Sequence, residues 1–175
     1  VHRPSGSGGE GGTGRRVALL GMSMQKNVTI AAELGYLRVP DGIIVPQVEN
    51  AQQALKVIQS MRYPQRKTSK YQNPPGRRGC GCSGGAGWGL QNPADYVARA
   101  DVWPLNPDGE LIAFPMIENP DGVKNINAIL DVPGVGGVLI GPTDLTMNYG
   151  EGRWADPADK KPETEAAIQT VAKAC

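Results

Sequence analysis

The chain has 175 residues, a formal net charge of +1 and a single histidine, His2. This length suits one domain with a real core, and the near-neutral charge argues against a nucleic-acid or anionic-membrane partner. No apolar run approaches membrane-spanning length, and Val17 to Leu20 is too short for a signal-peptide core, so we expect a cytoplasmic protein. Three cysteines, with Cys80 and Cys82 forming only C-x-C, predict neither a disulfide framework nor a zinc site.

The amino-terminal segment 1–16 is basic and rich in Gly and Ser, with almost no apolar residues to bury. Such a composition predicts a disordered tail followed by one domain at 17–175. A phosphate-binding loop is the alternative, but the G-K-[ST] signature that would lead into a helix is absent. Downstream, Val17 to Gly21 reads as a strand or a helix start, and 29–36 as a short helix closed by Gly35.

The segment 42–61 predicts a buried strand over 43–48 followed by an amphipathic helix over 51–61. Its letters I-I-V-P-Q-V-E-N at 43–50 are echoed in outline by I-A-F-P-M-I-E-N at 112–119, and a helical pattern follows each copy. Repeated strand–helix units build β/α barrels and open α/β sheets. The echo therefore favours a parallel sheet.

The stretch from Leu111 to Asp144 contains two apolar runs, and each is followed by a carboxylate: Glu118 after 111–117 and Asp144 after 137–142. Apolar residues between the runs recur at helical spacing, which predicts an intervening helix. They are Val123, Ile126, Ile129 and Leu130. We predict that both runs are parallel strands in one sheet, since a continuous apolar run is typical of a strand buried on both faces.

The positions of Glu118 and Asp144 predict a metal site. Polar residues just past the ends of parallel strands lie where ligands bind, so both side chains should face the same crevice. Two carboxylates without a nearby Cys or His are hard oxygen ligands suited to Mg²⁺ or Mn²⁺. The alternative is that each residue merely caps the helix that follows it.

A basic, irregular segment occupies 62–89, and three alternatives stay open for it: an anion-binding lid, an inter-subunit contact, or a solvated loop. Its interleaved Arg, Lys and Tyr carry no nucleic-acid-binding motif. Further on, a short helix is predicted over 93–100 with Asn92 as its cap. A last helix is predicted over 162–173.

With these segments in place, the sequence resembles the metal-dependent pyruvate aldolases of the 4-hydroxy-2-oxoheptanedioate aldolase family, in the citrate lyase beta-subunit superfamily. The resemblance runs from about Asp41 to the C-terminus. Its motifs, in order, are G-I-I-V-P-Q-V-E-N-A-Q-Q-A, R-Y-P with P-P-G-R-R-G, M-I-E-N, and P-G-V-G-G-V-L-I-G-P-T-D-L. The most specific piece is I-G-P-x-D-L following an I-E strand.

The resemblance implies part of a (β/α)₈ TIM barrel and a carbon–carbon lyase activity. In the family a divalent metal is held by a Glu and an Asp that match Glu118 and Asp144; Mg²⁺, Mn²⁺ and Co²⁺ are the candidates. The metal binds a 2-keto acid and stabilises the pyruvate enolate, which adds to or departs from an aldehyde. The implied partners are these small molecules, with neither nucleic acid nor membrane, and full-length members form homo-oligomers.

Other residues receive roles from the same resemblance. Arg38 in L-R-V-P looks like the family arginine that binds the keto oxygen. The residues Gly141, Pro142 and Thr143 of I-G-P-T-D are expected to bind substrate. Arg78 in P-P-G-R-R-G is expected to point towards the metal crevice or a subunit contact near it, and Arg77 towards solvent.

Departures from the family pattern suggest a second hypothesis. The acidic and Glu-His motif that supplies a base is absent, and Met116 stands where the family has Gln. Asp41 follows Pro40 directly, so no crossover helix separates L-R-V-P from the next strand. No seventh or eighth strand follows the sixth unit. The alternative is therefore a catalytically inactive, truncated barrel fragment that lacks the base and the closing strands.

Overall fold

The computed structural model describes residues 19–21, 42–79, 92–150 and 161–175. The expectations for the tail at 1–16, the helix at 29–36, Arg38 and the C-x-C pair lie outside these residues.

The described strands form one parallel arrangement in which every strand pairing is parallel. The strands are β1 (Leu19–Gly21), β2 (Gly42–Val45), β3 (Val102–Trp103), β4 (Leu111–Ile117) and β5 (Leu139–Ile140). Strand β2 lies between β1 and β4, while β3 pairs with the start of β4 and β5 with its end. The predicted α/β class and parallel sheet are confirmed.

Helices follow β2, β4 and β5, as the sequence echo predicts for β2 and β4. The described helices are α1 (Ala51–Met61), α2 (Pro93–Arg99), α3 (Pro120–Lys124), α4 (Ile126–Leu130), α5 (Pro142–Tyr149) and α6 (Pro162–Ala174). The first, second and last lie within one residue of the predicted bounds, because each begins at a clear start signal. Among the described residues, none of these helices is long and apolar enough to cross a membrane.

The single helix predicted between Glu118 and Asp144 is wrong in one respect: it is two short helices that meet at Asn125. The Asn125 backbone has left the helical region, with φ −98° and ψ 12°, and its Nδ2 donates to the Glu49 carbonyl at 2.8 Å. This bond holds Asn125 at the junction of the two helices. The predicted apolar face still points inward, since Val123, Ile126 and Ile129 are buried.

Two strands are shorter than predicted, for reasons that are visible in the backbone. Strand β2 ends at Val45 because Pro46 has no N–H to donate and Gln47 turns to a positive φ of 56°. Strand β5 has two residues, Leu139–Ile140, instead of the predicted six. The glycines at 136 and 137 give it no side chains to pack, and α5 begins at Pro142.

Burial along β4 alternates, so the expectation of a strand fully buried on both faces is wrong. Alternate residues from Leu111 to Ile117 are buried and those between them are half-buried. The buried face packs with Ile58 of α1, Ile129 of α4 and Val171 of α6 in one core cluster. This core fixes the end of β4 and therefore the residue that follows it, Glu118.

The sequence echo corresponds to a structural repeat. Asn50 and Asn119 close the two copies, and each is the N-cap of the next helix. The Asn50 Oδ1 accepts from the Gln53 N–H at 3.0 Å, and the Asn119 Oδ1 accepts from the Gly122 N–H at 2.8 Å. Both units thus run strand, acidic residue, asparagine cap, helix.

Candidate metal centre

Glu118 follows the last residue of β4 and is only 2% exposed. Its Oε1 accepts a hydrogen bond from the backbone N–H of Gln47, at 2.7 Å. The Gln47 side chain also hydrogen-bonds this carboxylate. Residues at the ends of two adjacent parallel strands, β2 and β4, thus meet around one buried acidic group.

Asp144 lies in the first turn of α5 and is exposed to solvent. It lies close enough to Glu118 for its carboxyl group to raise the pKa of that residue. Burial raises the pKa of Glu118, and the hydrogen bond and negative charge of Asp144 raise it further, whereas the hydrogen bonds from Gln47 lower it. The structure therefore brings the two predicted carboxylates together, in an arrangement that a shared proton or a cation would stabilise.

The helix-cap alternative is wrong for both acidic residues. The N-cap of α3 is Asn119, one residue beyond Glu118. The N-cap of α5 is Gly141, and no side chain caps that helix end. Since neither carboxylate caps a helix, capping does not explain why an acidic residue stands at each position.

Gly141 makes room for Glu118. A Cβ atom on residue 141 would lie 2.8 Å from both the Cβ and the Oε2 of Glu118, closer than such atoms approach. The Gly141 N–H donates to the Ile117 carbonyl at 3.0 Å, which holds the two chain segments together. Residue 141 is therefore restricted to glycine by the carboxylate beside it.

Two residues that the sequence reasoning missed also contact this centre. Asn148 Nδ2 donates to the backbone carbonyls of Glu118, at 3.1 Å, and Asp144, at 2.8 Å. The other is Gln47, for which a signal existed: the echo aligns it with Met116, two residues before the acidic position. For Asn148 the sequence offers no signal beyond its i+4 spacing from Asp144.

The remaining predicted ligand-binding residues are placed as follows. Pro142 and Thr143 open α5, exposed and half-buried respectively. Arg38 lies outside the described residues. Arg77 is exposed, as expected, whereas Arg78 is only 3% exposed, so it is not a solvated loop residue.

The Arg78 guanidinium stacks on two tyrosine rings, 4.4 Å from the centroid of Tyr63 and 5.6 Å from that of Tyr96. Its Nη2 donates to the Tyr96 hydroxyl at 2.7 Å, and its backbone N–H donates to the Arg62 carbonyl at 2.8 Å. Arg62 in turn pairs with Asp101, with Nε–Oδ1 at 2.5 Å and Nη2–Oδ2 at 2.9 Å. Arg78 thus belongs to a buried cationic and aromatic cluster.

This cluster lies at the start of β4, not at its end. The Asp101 carbonyl accepts from the N–H of Leu111, the first residue of β4, at 3.0 Å. A strand of seven residues spans roughly 20 Å, so Glu118 lies that far along the sheet. A cleft of about 650 Å³ borders the cluster, between 63–69 and α2. Glu118 and Asp144 do not line this cleft. These contacts favour a structural role for Arg78 over the expected substrate contact.

The donor set at Glu118 and Asp144 fits a hard divalent cation. Mg²⁺ and Mn²⁺ are commonly held by one or two carboxylates, with water and substrate oxygens completing the shell. No group of three or more His, Cys, Asp or Glu side chains suited to a metal occurs in the part of the chain that the structure describes. A fully protein-ligated structural metal site, such as a Cys₄ or Cys₂His₂ zinc site, is therefore not formed by these residues.

Comparison with known proteins agrees with the fold and the motifs. The family profile described as HpcH/HpaI aldolase/citrate lyase matches residues 16–175. A hydroxypyruvate/pyruvate aldolase of Roseobacter denitrificans is 37% identical over 108 residues, which cover 62% of this chain and 36% of that protein. A 4-hydroxy-2-oxo-heptane-1,7-dioate aldolase of Klebsiella pneumoniae is 34% identical over 133 residues, which cover 73% of this chain and 40% of that protein. The chain spans about two-fifths of the length of these relatives.

Solved structures show the same fold. An HpcH/HpaI aldolase from Desulfitobacterium hafniense superposes with a TM-score of 0.64 at 24% identity, covering 89% of this chain and 52% of that one. An HpcH/HpaI aldolase/citrate lyase family protein from Burkholderia cenocepacia gives 0.67 at 22% identity, covering 89% and 53%. At this identity the likeness concerns the fold.

Proposed function

Because the chain belongs to the HpcH/HpaI aldolase/citrate lyase family, we propose that it carries the metal centre of a divalent-metal-dependent aldolase. The reaction would make or break a carbon–carbon bond between pyruvate and an aldehyde, so the partners are a 2-keto acid and an aldehyde. The observation that carries this proposal is the contact between the carboxyl groups of Glu118 and Asp144 past the ends of parallel strands. Two carboxylates that are close together, one of them buried, repel each other unless a proton or a cation lies between them.

We also propose that 17–175 forms part of a (β/α)₈ barrel. The described strands are all parallel and most are followed by helices, as in that architecture. The register between β2 and β4 pairs Val45 with Pro115, one residue away from the alignment of the sequence echo. A stagger of this kind accompanies the tilt of barrel strands. The solved relatives superpose over most of this chain and about half of theirs.

Glu118 and Asp144 are the residues that would hold the cation, which we expect to be Mg²⁺ or Mn²⁺, with Co²⁺ as a further candidate. When bound, the cation supplies Lewis acidity towards the carboxylate and ketone oxygens of a 2-keto acid. The protein supplies position: Gln47 donates to Glu118, and Asn148 ties the backbones of both acidic residues together. Burial of Glu118 limits competition from bulk water.

The amino terminus of α5 is suited to bind the substrate carboxylate. Gly141 is the N-cap, and no side chain caps this helix end, which lies beside Glu118. Helix amino termini attract anions because their N–H groups lack intrahelical partners and carry the positive end of the helix dipole. This is the role that we propose for 141–143, with the Thr143 N–H as the donor, because the Gly141 N–H donates to the Ile117 carbonyl and Pro142 has no N–H. Arg38 would contact the keto oxygen.

A retro-aldol assay tests the proposed function. The purified chain is incubated with a 4-hydroxy-2-oxo acid, and pyruvate release is followed with and without Mn²⁺, Mg²⁺ or Co²⁺. We expect metal-dependent release that is lost in Glu118→Gln and Asp144→Asn. Release that is equal in the variants, or that needs no added metal after chelation, would contradict the assignment of these residues.

The second candidate is a catalytically inactive fragment that keeps the metal centre. It is favoured by Met116, which provides no amide where the family resemblance places one. The two candidates are separated by measuring Mn²⁺ binding alongside pyruvate release. Binding that depends on Glu118 without any turnover identifies the inactive fragment.

A further inference from the structure

Gln47 has an unusual backbone for its residue type. Among the described residues it is the one non-glycine residue with a positive φ, at 56°. This conformation costs free energy for a side chain with a Cβ and persists where surrounding contacts enforce it. Here it directs the Gln47 N–H at Glu118 Oε1, 2.7 Å away. The strained residue and the buried carboxylate are thus directly linked.

The side chain of Gln47 is oriented by a second contact. Asn119 Nδ2 donates to Gln47 Oε1 at 3.1 Å. A carboxamide whose oxygen is occupied in this way presents its NH₂ group elsewhere, and that group reaches the Glu118 carboxylate. Asn119 itself is fixed as the N-cap of α3, so the orientation depends on a rigid element.

The two oxygens of Glu118 have different surroundings. Oε1 accepts the backbone hydrogen bond from Gln47, while Oε2 lies over Gly141, where a Cβ would approach it to 2.8 Å. Met116 is close to the same place, with its Sδ 3.3 Å from that Cβ position. The Met116 thioether offers no donor to the carboxylate, so the polar contact comes from the neighbouring strand.

We propose that Gln47 is a positioning residue: its backbone N–H engages Oε1 of Glu118, its carboxamide steadies the same carboxylate, and Oε2 is left as the oxygen that meets the divalent cation. The Gln47 carboxamide reaches Glu118 from the end of β2 and replaces the amide that Met116 on β4 lacks. The inference rests on the proposed metal centre. It names which oxygen binds and which residue sets that choice.

The test measures Mn²⁺ affinity by calorimetry together with thermal and urea unfolding, so it does not depend on turnover. Gln47→Gly is the main variant, because glycine accepts the positive φ and keeps the backbone N–H while removing only the carboxamide. We expect a loss of Mn²⁺ affinity of about tenfold or more, as for other partners that orient a metal ligand, with a metal-free unfolding midpoint no lower than in the parent. Gln169→Met is the matched control: an exposed glutamine that also donates to a glutamate, Glu165.

A double variant tests whether an amide at residue 116 restores Mn²⁺ affinity. In Gln47→Gly with Met116→Gln, the carboxamide returns on β4, and we expect most of the lost affinity to be recovered. Unchanged Mn²⁺ affinity in Gln47→Gly, or a loss equal to that in Gln169→Met, would overturn the positioning role while leaving the metal centre intact. Absence of Mn²⁺ binding in the parent chain would overturn both proposals, and the two failures are therefore distinguishable.

Discussion

Gly141 lies directly under Glu118: a Cβ on residue 141 would come within 2.8 Å of the glutamate Oε2. The contact joins the N-cap of α5 to the residue after β4. Gly141 has a φ of −98°, which residues with a side chain also adopt. Glycine is needed at this position because a Cβ would collide with Glu118. This relationship makes residue 141 a sensitive probe of the centre.

Gly141→Ala should displace the Glu118 carboxylate. We expect weaker Mn²⁺ binding and a loss of about 1–3 kcal/mol in the free energy of unfolding, the usual range for an overpacked site. Gly137→Ala is the control, because its Cβ would meet only the Phe114 ring, which can shift, at 3.3 Å. Calorimetry and urea unfolding measure both effects. Equal Mn²⁺ affinity in the two variants would argue against the spatial role of Gly141.

The stability of the metal-free chain should fall as pH rises from about 4.5, the ordinary pKa of Glu118, through its raised pKa in the folded state. In that window the folded protein binds more protons than the unfolded chain, so the free energy of unfolding decreases with pH. Burial is the main cause of the raised pKa, and Asp144 adds to it. Glu118→Gln should flatten this part of the profile, as followed by urea unfolding at several pH values.

Addition of Mn²⁺ should reverse this trend. Because a cation binds the ionised carboxylate pair, the stabilisation of the folded chain by Mn²⁺ should grow as pH rises. The same stabilisation should be absent in Glu118→Gln. Saturating ligand at one hundred times its dissociation constant stabilises by about 2.7 kcal/mol through mass action. A pH profile that is the same with and without Mn²⁺ would show that the carboxylates do not bind it.

Asp101→Asn should be strongly destabilising. Arg62 is fully buried and relies on Asp101 for two charged contacts, in addition to the Pro74 and Tyr71 carbonyls. Removing one partner of a buried pair costs about 3–5 kcal/mol because the other charge stays uncompensated. The control is Arg99→Met, which breaks a pair with Glu110 whose arginine is 40% exposed and should cost about 0–1 kcal/mol. Equal costs would refute the special role of the buried pair.

Arg78→Ala should separate a structural role from a substrate-binding one. The guanidinium is enclosed by Tyr63 and Tyr96 at the opposite end of β4 from Glu118. We therefore expect lower stability with unchanged Mn²⁺ affinity. Tyr96→Phe, which removes the acceptor of the Nη2 bond, should cost about 1–3 kcal/mol, the range for a buried donor left unpaired. Loss of Mn²⁺ binding at unchanged stability would instead place Arg78 in the metal site.

The sequence by itself determined the elements whose signals are local. Asn92 before Pro93 predicts the start of α2, and the period of 51–61 predicts α1, because capping and amphipathic spacing depend on a few neighbouring residues. The closeness of Glu118 and Asp144 was also predictable, since parallel strands end on the same side of a sheet. The break at Asn125 was not, because Asn125 is held there by a bond to Glu49, which is 76 residues away in sequence.

Only the tertiary structure decided which residues surround the carboxylates. The strained backbone of Gln47 and the closeness of Gly141 to Oε2 arise from the packing of β2, β4 and α5 against one another. Likewise, Arg78 resembles a substrate-binding loop arginine in sequence, yet the fold buries it against two tyrosines near the start of β4. Motifs record residue types and spacing, whereas the end of a sheet that a side chain reaches is set by long-range packing.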